Sequence, residues 1–304
     1  MHSHHTSLRI FLDPDTRTMA YQISANDYIS GGSRSSSRNG GPPADTIHIR
    51  QVLQRDLHDL YDPASEWGLQ LHCFSASSQK IEQLTQTIIT EHYSRGCPPN
   101  SHGYIFGGYC DISEKKRIPQ YRLRNSIVFY EEVVFDHSVS DAFALLVNEI
   151  TNSARRLREE GIRPCFATIP PASLERWNSH RLGLGRTALL LHEGQYQDMQ
   201  RRLNTVLSNV NSFITKLNHW NDMYTPYVAG TVLRTKAKKS DQTNYILQHH
   251  KLYDGVHADD RLIEEWALKF ERAIRKNRVA YRTVHYNSPL TAPLTDELVC
   301  SFAN

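Results

Sequence analysis

The sequence predicts an α/β fold, a doubly wound and mostly parallel sheet flanked by helices, and three observations support it. Short apolar runs typical of buried strands alternate with longer runs of helical periodicity. Several predicted strands end in turns of small residues, as at 75–78 and 107–111. The 304 residues, 39% of them hydrophobic, are enough for a large core. In such sheets, functional side chains gather at the carboxyl ends of the strands.

The first residues are predicted to stand apart from this sheet. Residues 8–23 alternate apolar and polar side chains around Pro14-Asp15, which predicts a β-hairpin. The stretch 30–43 is rich in Ser, Gly and Arg, which predicts a flexible, solvated loop. We therefore divide the chain into an N-terminal hairpin and loop (1–44), an α/β domain (45–275) and a C-terminal arm (276–304).

The elements of the α/β domain follow from periodicity and turn residues. In chain order we predict a helix from Asp45 or Thr46 with Ile49, Val52 and Leu53 on its apolar face, a strand at 67–74, a helix through 81–89, a strand at 104–106, an insertion or edge strand at 127–135, a helix from Ser140 or Asp141 to Leu157, a strand at 164–169, a helix at 196–220, a strand at 226–233 and a helix at 259–274. On the helix at 196–220, Asn204, Asn211 and Asn218 share a face, which predicts an exposed edge or, alternatively, the wall of a cleft.

Composition limits the function classes. The net charge of +3 is too small for a dedicated polyanion binder. The five cysteines lack a Cys-x-x-Cys spacing, which favours thiols in a reducing compartment over a zinc site or disulfides. We find no signal peptide and no membrane-spanning run, so we expect an intracellular protein, cytoplasmic or nuclear, that does not bind membranes. Nothing in the sequence indicates a metal or an organic cofactor.

The most informative motif is Asp254-Gly255-Val256-His257, directly before the last helix. A carboxylate three residues before an imidazole can fix the tautomer and orientation of the ring, so that its other nitrogen acts as a general base. Asp and Gly are also ordinary residues of turns and helix starts. The motif alone therefore fits both a catalytic pair and a structural cap.

Three motifs in order resemble the SGNH (GDSL-type) hydrolase superfamily, in particular the divergent esterase-like modules carried by animal mobile elements. The chain has Gly107-Gly108-Tyr109-Cys110-Asp111 where the family has Gly-x-Asn-Asp. A later strand ends in Ile-Pro-Pro, with Trp177-Asn178 beyond it, and the Asp254–His257 block precedes the last helix. The resemblance covers roughly residues 45 to 275 and implies a flavodoxin-like three-layer sandwich.

The resemblance also implies roles for individual residues. In the family, a serine at the end of the first strand attacks an acyl carbonyl, which makes His257 the base and Asp254 the residue that orients it. Gly108 and Asp111 match the third block, whose oxyanion-binding Asn is replaced by Cys110. Ser75 and Ala76 stand where the second block has its oxyanion glycine, and Asn178 is placed on the same rim.

Two departures from the family bear on activity. No Gly-Asp-Ser is present, and the candidate nucleophiles Thr16 and Ser24, like Ser30, lack a strand–serine–helix setting. Cys110 is a poorer donor than an amide. We therefore interpret the chain as a catalytically impaired SGNH-like module used for binding or self-association. One alternative is an active serine esterase or O-deacetylase acting on an acyl-ester or acetylated substrate. Another is a nucleic-acid-associated protein of a mobile element, favoured by the basic loop at 234–239.

Overall fold

The computed structural model describes residues 9–12, 19–22, 25–31, 49–57, 69–75, 79–122, 126–183, 193–235 and 245–283. Its strands are β1 (Arg9–Leu12), β2 (Met19–Gln22), β3 (Ala25–Gly31), β4 (Leu69–Ser75), β5 (Ser101–Phe106), β6 (Glu114–Arg122), β7 (Ser126–Val134), β8 (Ile162–Phe166), β9 (Leu233–Thr235) and β10 (Tyr245–Leu247). Its α-helices are α1 (Ile49–Asp56), α2 (Ile81–Ser94), α3 (Tyr109–Ile112), α4 (Val139–Glu159), α5 (Leu174–Gly183), α6 (Glu193–Trp220) and α7 (Asp260–Thr283).

The central sheet is parallel, in the order β4-β3-β5-β8, with helices on both faces. Alternate residues of β5 point to opposite sides, as the pleat of a strand requires. Ile105 joins an apolar cluster with α2, α4 and α6, whereas Tyr104 and Phe106 join a second cluster with α1 and α7. The three layers confirm the predicted doubly wound fold. The antiparallel pair β1–β2 confirms the N-terminal hairpin.

Strand β3 was not predicted, although it lies inside the sheet between β4 and β5. The flexible loop was predicted to start at Ser30, whereas Ser30 and Gly31 are the last two residues of this buried strand. The strand was missed because two polar residues, Asn26 and Asp27, follow its first residue, and both are buried nonetheless. The rest of the predicted loop lies outside the described residues.

Three further elements differ from the prediction. The segment at 127–135, predicted as an insertion or an edge strand, is the strand β7, but its partner is β6, which was not predicted. The predicted strand at 226–233 is a 3₁₀ turn, Ala229–Val232, followed by the short strand β9, which pairs with β10. The last helix does not end at Ile274 but continues to Thr283. Residues 276–283, which were predicted to belong to the C-terminal arm, are therefore part of this helix.

Asn211 and Asn218 of the asparagine stripe on α6 do not form an exposed edge, which corrects the prediction for these two residues, whereas Asn204 is exposed. Asn218 is fully buried, its side-chain oxygen accepts from the Phe166 N–H at 2.9 Å, and its side-chain nitrogen donates to the Phe166 carbonyl at 2.7 Å. Asn211 binds the two backbone groups of Ile169 in the same way. The carboxamides thus satisfy backbone groups of Phe166 at the outer edge of β8 and of Ile169 beyond its end.

We expect Asn218→Leu to lower the free energy of unfolding by about 2 to 4 kcal/mol, because it leaves the buried N–H and C=O of Phe166 without this partner. Urea unfolding checks this value. Asn204→Leu is the matched control, since Asn204 lies on the same stripe but is exposed, and it should stay within about 0.5 kcal/mol of the wild type. Equal effects of the two substitutions would contradict the edge role of Asn218.

Candidate functional site

The carboxyl ends of three strands stand side by side. At the end of β3, Gly31 pairs with Ser75 of β4 on one side and with Phe106 of β5 on the other. The chain segments that follow these three residues therefore leave the sheet at the same edge. The strand register thus supports the prediction that the turns after these strands lie at one edge of the sheet.

The third block (107–111) turns sharply after β5, and the backbone conformation at Gly108 favours a glycine. Gly108 has φ of +117°, and a Cβ there would lie 2.5 Å from the Ile169 side chain. Asp111, on α3, accepts from the Ile81 N–H at the start of α2 at 3.2 and 3.3 Å, which ties this block to the segment after β4. Burial raises the pKa of the Asp111 carboxyl to about 6.

Asp254 and His257 form a buried pair. Asp254 Oδ2 lies 2.6 Å from His257 Nδ1, while Oδ1 accepts from the N–H groups of Val256 and His257 at 3.0 and 2.8 Å. The two residues are 2% and 3% exposed. Burial by itself raises the pKa of Asp254, but the hydrogen bonds and charge of His257 outweigh it and hold that pKa below its usual range.

Helix α5 and the residue before it contact the loop that carries this pair, and we call this segment the Asp–His loop (Tyr253–His257). The Ser173 N–H donates to the Gly255 carbonyl at 2.7 Å, and Arg176 donates to the Tyr253 carbonyl at 3.4 Å. Gly255 has φ of +93°, and a Cβ there would lie 2.7 Å from the Ser173 carbonyl oxygen. Since Ser173 lies on the segment that follows β8, the pair belongs to the same end of the sheet.

The other predicted site residues have different outcomes. Cys110 is a half-buried thiol on α3, next to Asp111. Asn178 faces the hairpin rather than the Asp–His pair, because its side chain binds both backbone groups of Val133. Ser75 ends β4, and only its backbone is described. Thr16, Ser24 and Ala76 lie outside the described residues, so their roles stay predictions.

Strand β3, which brings the chain to this edge of the sheet, was not predicted from the sequence. After Gly31, the last residue of β3, the sequence continues with Gly32 and Ser33. The signal was the short apolar pair Tyr28-Ile29 directly before a glycine-rich stretch. Because residues 30–43 were interpreted as a flexible loop, the serines of this stretch were not considered to be close to the site.

The described part of the chain also bears on metal binding and on membrane spanning. Among these residues, no three His, Cys, Asp or Glu side chains are grouped so as to hold a metal ion. No described helix has the length and apolarity that a membrane span requires.

In sequence, the chain matches no protein-family model and no curated protein. In structure, it is similar to a lipase/acylhydrolase from Enterococcus faecalis, with 12% identity and a TM-score of 0.46 over 84% of this chain and 96% of that one. It is also similar to a G-D-S-L family lipolytic protein from Veillonella parvula, with 10% identity and a TM-score of 0.46 over 83% and 98% of the two chains. An acetyl xylan esterase gives 16% identity and a TM-score of 0.44 over 82% and 99%.

Proposed function

We propose that the chain is a serine-type ester hydrolase in which His257 is the general base and Asp254 orients it. The observation that carries this proposal is the 2.6 Å contact between Asp254 Oδ2 and His257 Nδ1. A helix or turn cap needs only the backbone hydrogen bonds that Oδ1 already accepts. The second oxygen is instead engaged with the imidazole, which leaves Nε2 as the nitrogen for proton transfer.

The proposed reaction has two steps. A serine hydroxyl gives its proton to Nε2 of His257 while its oxygen bonds to the acyl carbon. The imidazolium then returns the proton to the departing alcohol, and an acyl-enzyme remains. In the second step water loses a proton to Nε2 and attacks the acyl carbon. The bond between the acyl carbon and the serine oxygen then breaks, the imidazolium returns the proton to that oxygen, and the acid is released. Asp254 stabilises the imidazolium in both steps and stays ionised.

We infer that the nucleophile is Ser33. In sequence, Gly32 and Ser33 directly follow Gly31, the last residue of β3, and the family that the sequence resembles has its nucleophilic serine at the end of the first strand. Ser30 is a poor candidate because it lies within the strand and is 1% exposed.

The test is turnover of short-chain p-nitrophenyl esters together with labelling by a fluorophosphonate probe. We expect Ser33→Ala and His257→Ala to reduce turnover to the background rate, and the label to map to Ser33 after digestion. Ser35→Ala is the matched control in the same serine-rich stretch and should retain wild-type turnover. A label on another serine, or equal rates for Ser33→Ala and Ser35→Ala, would rule out Ser33 as the nucleophile.

A second candidate function, a catalytically impaired binding or assembly module, is favoured by Cys110. A thiol is a weak hydrogen-bond donor, and loss of one oxyanion donor typically costs about 10² to 10³ in kcat. Absence of both turnover and label in the wild type would support this candidate. Sedimentation of the same sample would then test whether the chain self-associates.

A further inference from the structure

The imidazole of His257 needs a second restraint besides its hydrogen bond. The bond from Nδ1 to Asp254 fixes the position of one ring nitrogen, whereas the direction of Nε2 depends on how the ring is turned about that contact. A pivot would move Nε2, the nitrogen on the far side, through the largest arc. Since a misplacement of about 1 Å can cost about 10² in rate, a base of this kind requires a contact that also fixes the plane of its ring.

Trp177 supplies such a contact. The ring centroids of Trp177 and His257 lie 5.3 Å apart, with an angle of 52° between the ring planes. The distance is within the range of favourable aromatic pairs. Trp177 is half-buried and packs against the apolar cluster of α2, α4 and α6, so its indole is backed by the core.

The position of Trp177 is itself fixed from two sides. The backbone N–H of Trp177 donates to the carbonyl of Ser173, directly before α5, at 3.0 Å, and Ser173 also binds the Asp–His loop through Gly255. The next residue, Asn178, is fully buried and binds the N–H and C=O of Val133 at 2.9 and 2.8 Å, which joins α5 to strand β7. The indole is therefore attached to a rigid support.

We propose that Trp177 is a positioning residue that holds the plane of the His257 ring, so that Nε2 is directed at the attacking hydroxyl. This inference rests on the proposed function, in which His257 is the base. It also gives Asn178 a role at one remove from the site, because Asn178 fixes the helix that carries Trp177.

The test combines kinetics with an NMR signal that needs no substrate. A proton shared between Nδ1 and a carboxylate resonates far downfield, and its absence in Asp254→Asn assigns the signal. We expect Trp177→Leu to broaden or abolish this resonance and to lower kcat by about 10²-fold, with KM within about threefold of the wild type. Trp177→Phe, which keeps a flat ring, should restore the resonance and bring kcat to within about tenfold of the wild type.

His180→Ala is the matched control. His180 lies on the same helix, and its ring contacts Tyr253 of the same loop with centroids 5.2 Å apart. It should leave the resonance and kcat unchanged, and circular dichroism should show that every variant is folded. An unchanged resonance in Trp177→Leu, or an equal loss in His180→Ala, would overturn the positioning role. If no variant, the wild type included, turns over an ester, the proposed function fails, and the resonance alone then decides whether Trp177 positions the ring.

Discussion

Asp254→Asn is expected to lower kcat by about 10⁴-fold while the fold stays intact. The carboxamide retains an oxygen for the N–H groups of Val256 and His257, which Asp254 Oδ1 accepts at 3.0 and 2.8 Å. Its NH₂ group then faces Nδ1 of His257 in place of Oδ2. The imidazole must accept that hydrogen bond, so its proton moves to Nε2. A protonated Nε2 cannot take the proton of the attacking hydroxyl.

Asp259→Asn is the matched control for this substitution. Asp259 lies beyond the same loop and accepts from the Leu262 N–H at 2.8 Å, at the start of α7. Asparagine caps a helix about as well as aspartate, so this variant should keep kcat within about threefold of the wild type. Steady-state hydrolysis of a p-nitrophenyl ester by the two variants gives the comparison. If Asp254→Asn stays within about tenfold of the wild type, the pair is a structural cap and not a catalytic one.

The parts of the fold that could be predicted are those encoded in local sequence. The apolar faces of α1 and α2 recur at helical spacing, and all of Ile49, Val52, Ile81 and Leu84 are buried. Strand β3 could not be predicted in this way. Its buried Asp27 is paired with Arg278, which is 251 residues away in the chain. The local sequence around Asp27 does not contain its partner, so the pattern of β3 looked too polar for a buried strand.

The same distinction separates the residues of the candidate site. Asp254 and His257 lie in one loop, and their three-residue spacing predicts the contact that the structure contains. The environment of Asn178 depends on the hairpin β6–β7, whose first strand was not predicted. For Asn218, the helical stripe showed that the residues share a face, but not that the face meets the backbone of Phe166. Local periodicity shows which face of a helix a side chain occupies, but not which distant backbone group that side chain binds.

Arg278→Met is expected to lower the free energy of unfolding by about 3 to 5 kcal/mol, because it leaves the Asp27 charge buried without its main partner. The guanidinium contacts both carboxylate oxygens of Asp27, at 2.6 and 3.0 Å, and Asp27 is fully buried. Burial raises the pKa of Asp27, yet the charges of Arg278 and His102 outweigh it and hold that pKa well below its usual range. Urea unfolding at neutral pH measures the loss.

Arg275→Met is the control for Arg278→Met, since Arg275 pairs with Glu271 on the same helix but is partly exposed. It should cost less than about 1 kcal/mol. The double variant Asp27→Asn, Arg278→Met removes both charges and should be more stable than Arg278→Met alone. Equal losses for the two arginine variants would show that the buried pair contributes no more than a surface one.

The pair with Arg278 lies near the start of β3, whereas the candidate site lies beyond its end at Gly31. Arg278→Met should therefore separate stability from turnover. At a temperature where the variant remains folded, we expect its kcat to stay within about threefold of the wild type, because Asp27 lies well before the end of the strand at Gly31. A loss of turnover in the folded variant would instead mean that the buried pair sets the position of the strand end, and through it the geometry of the nucleophile.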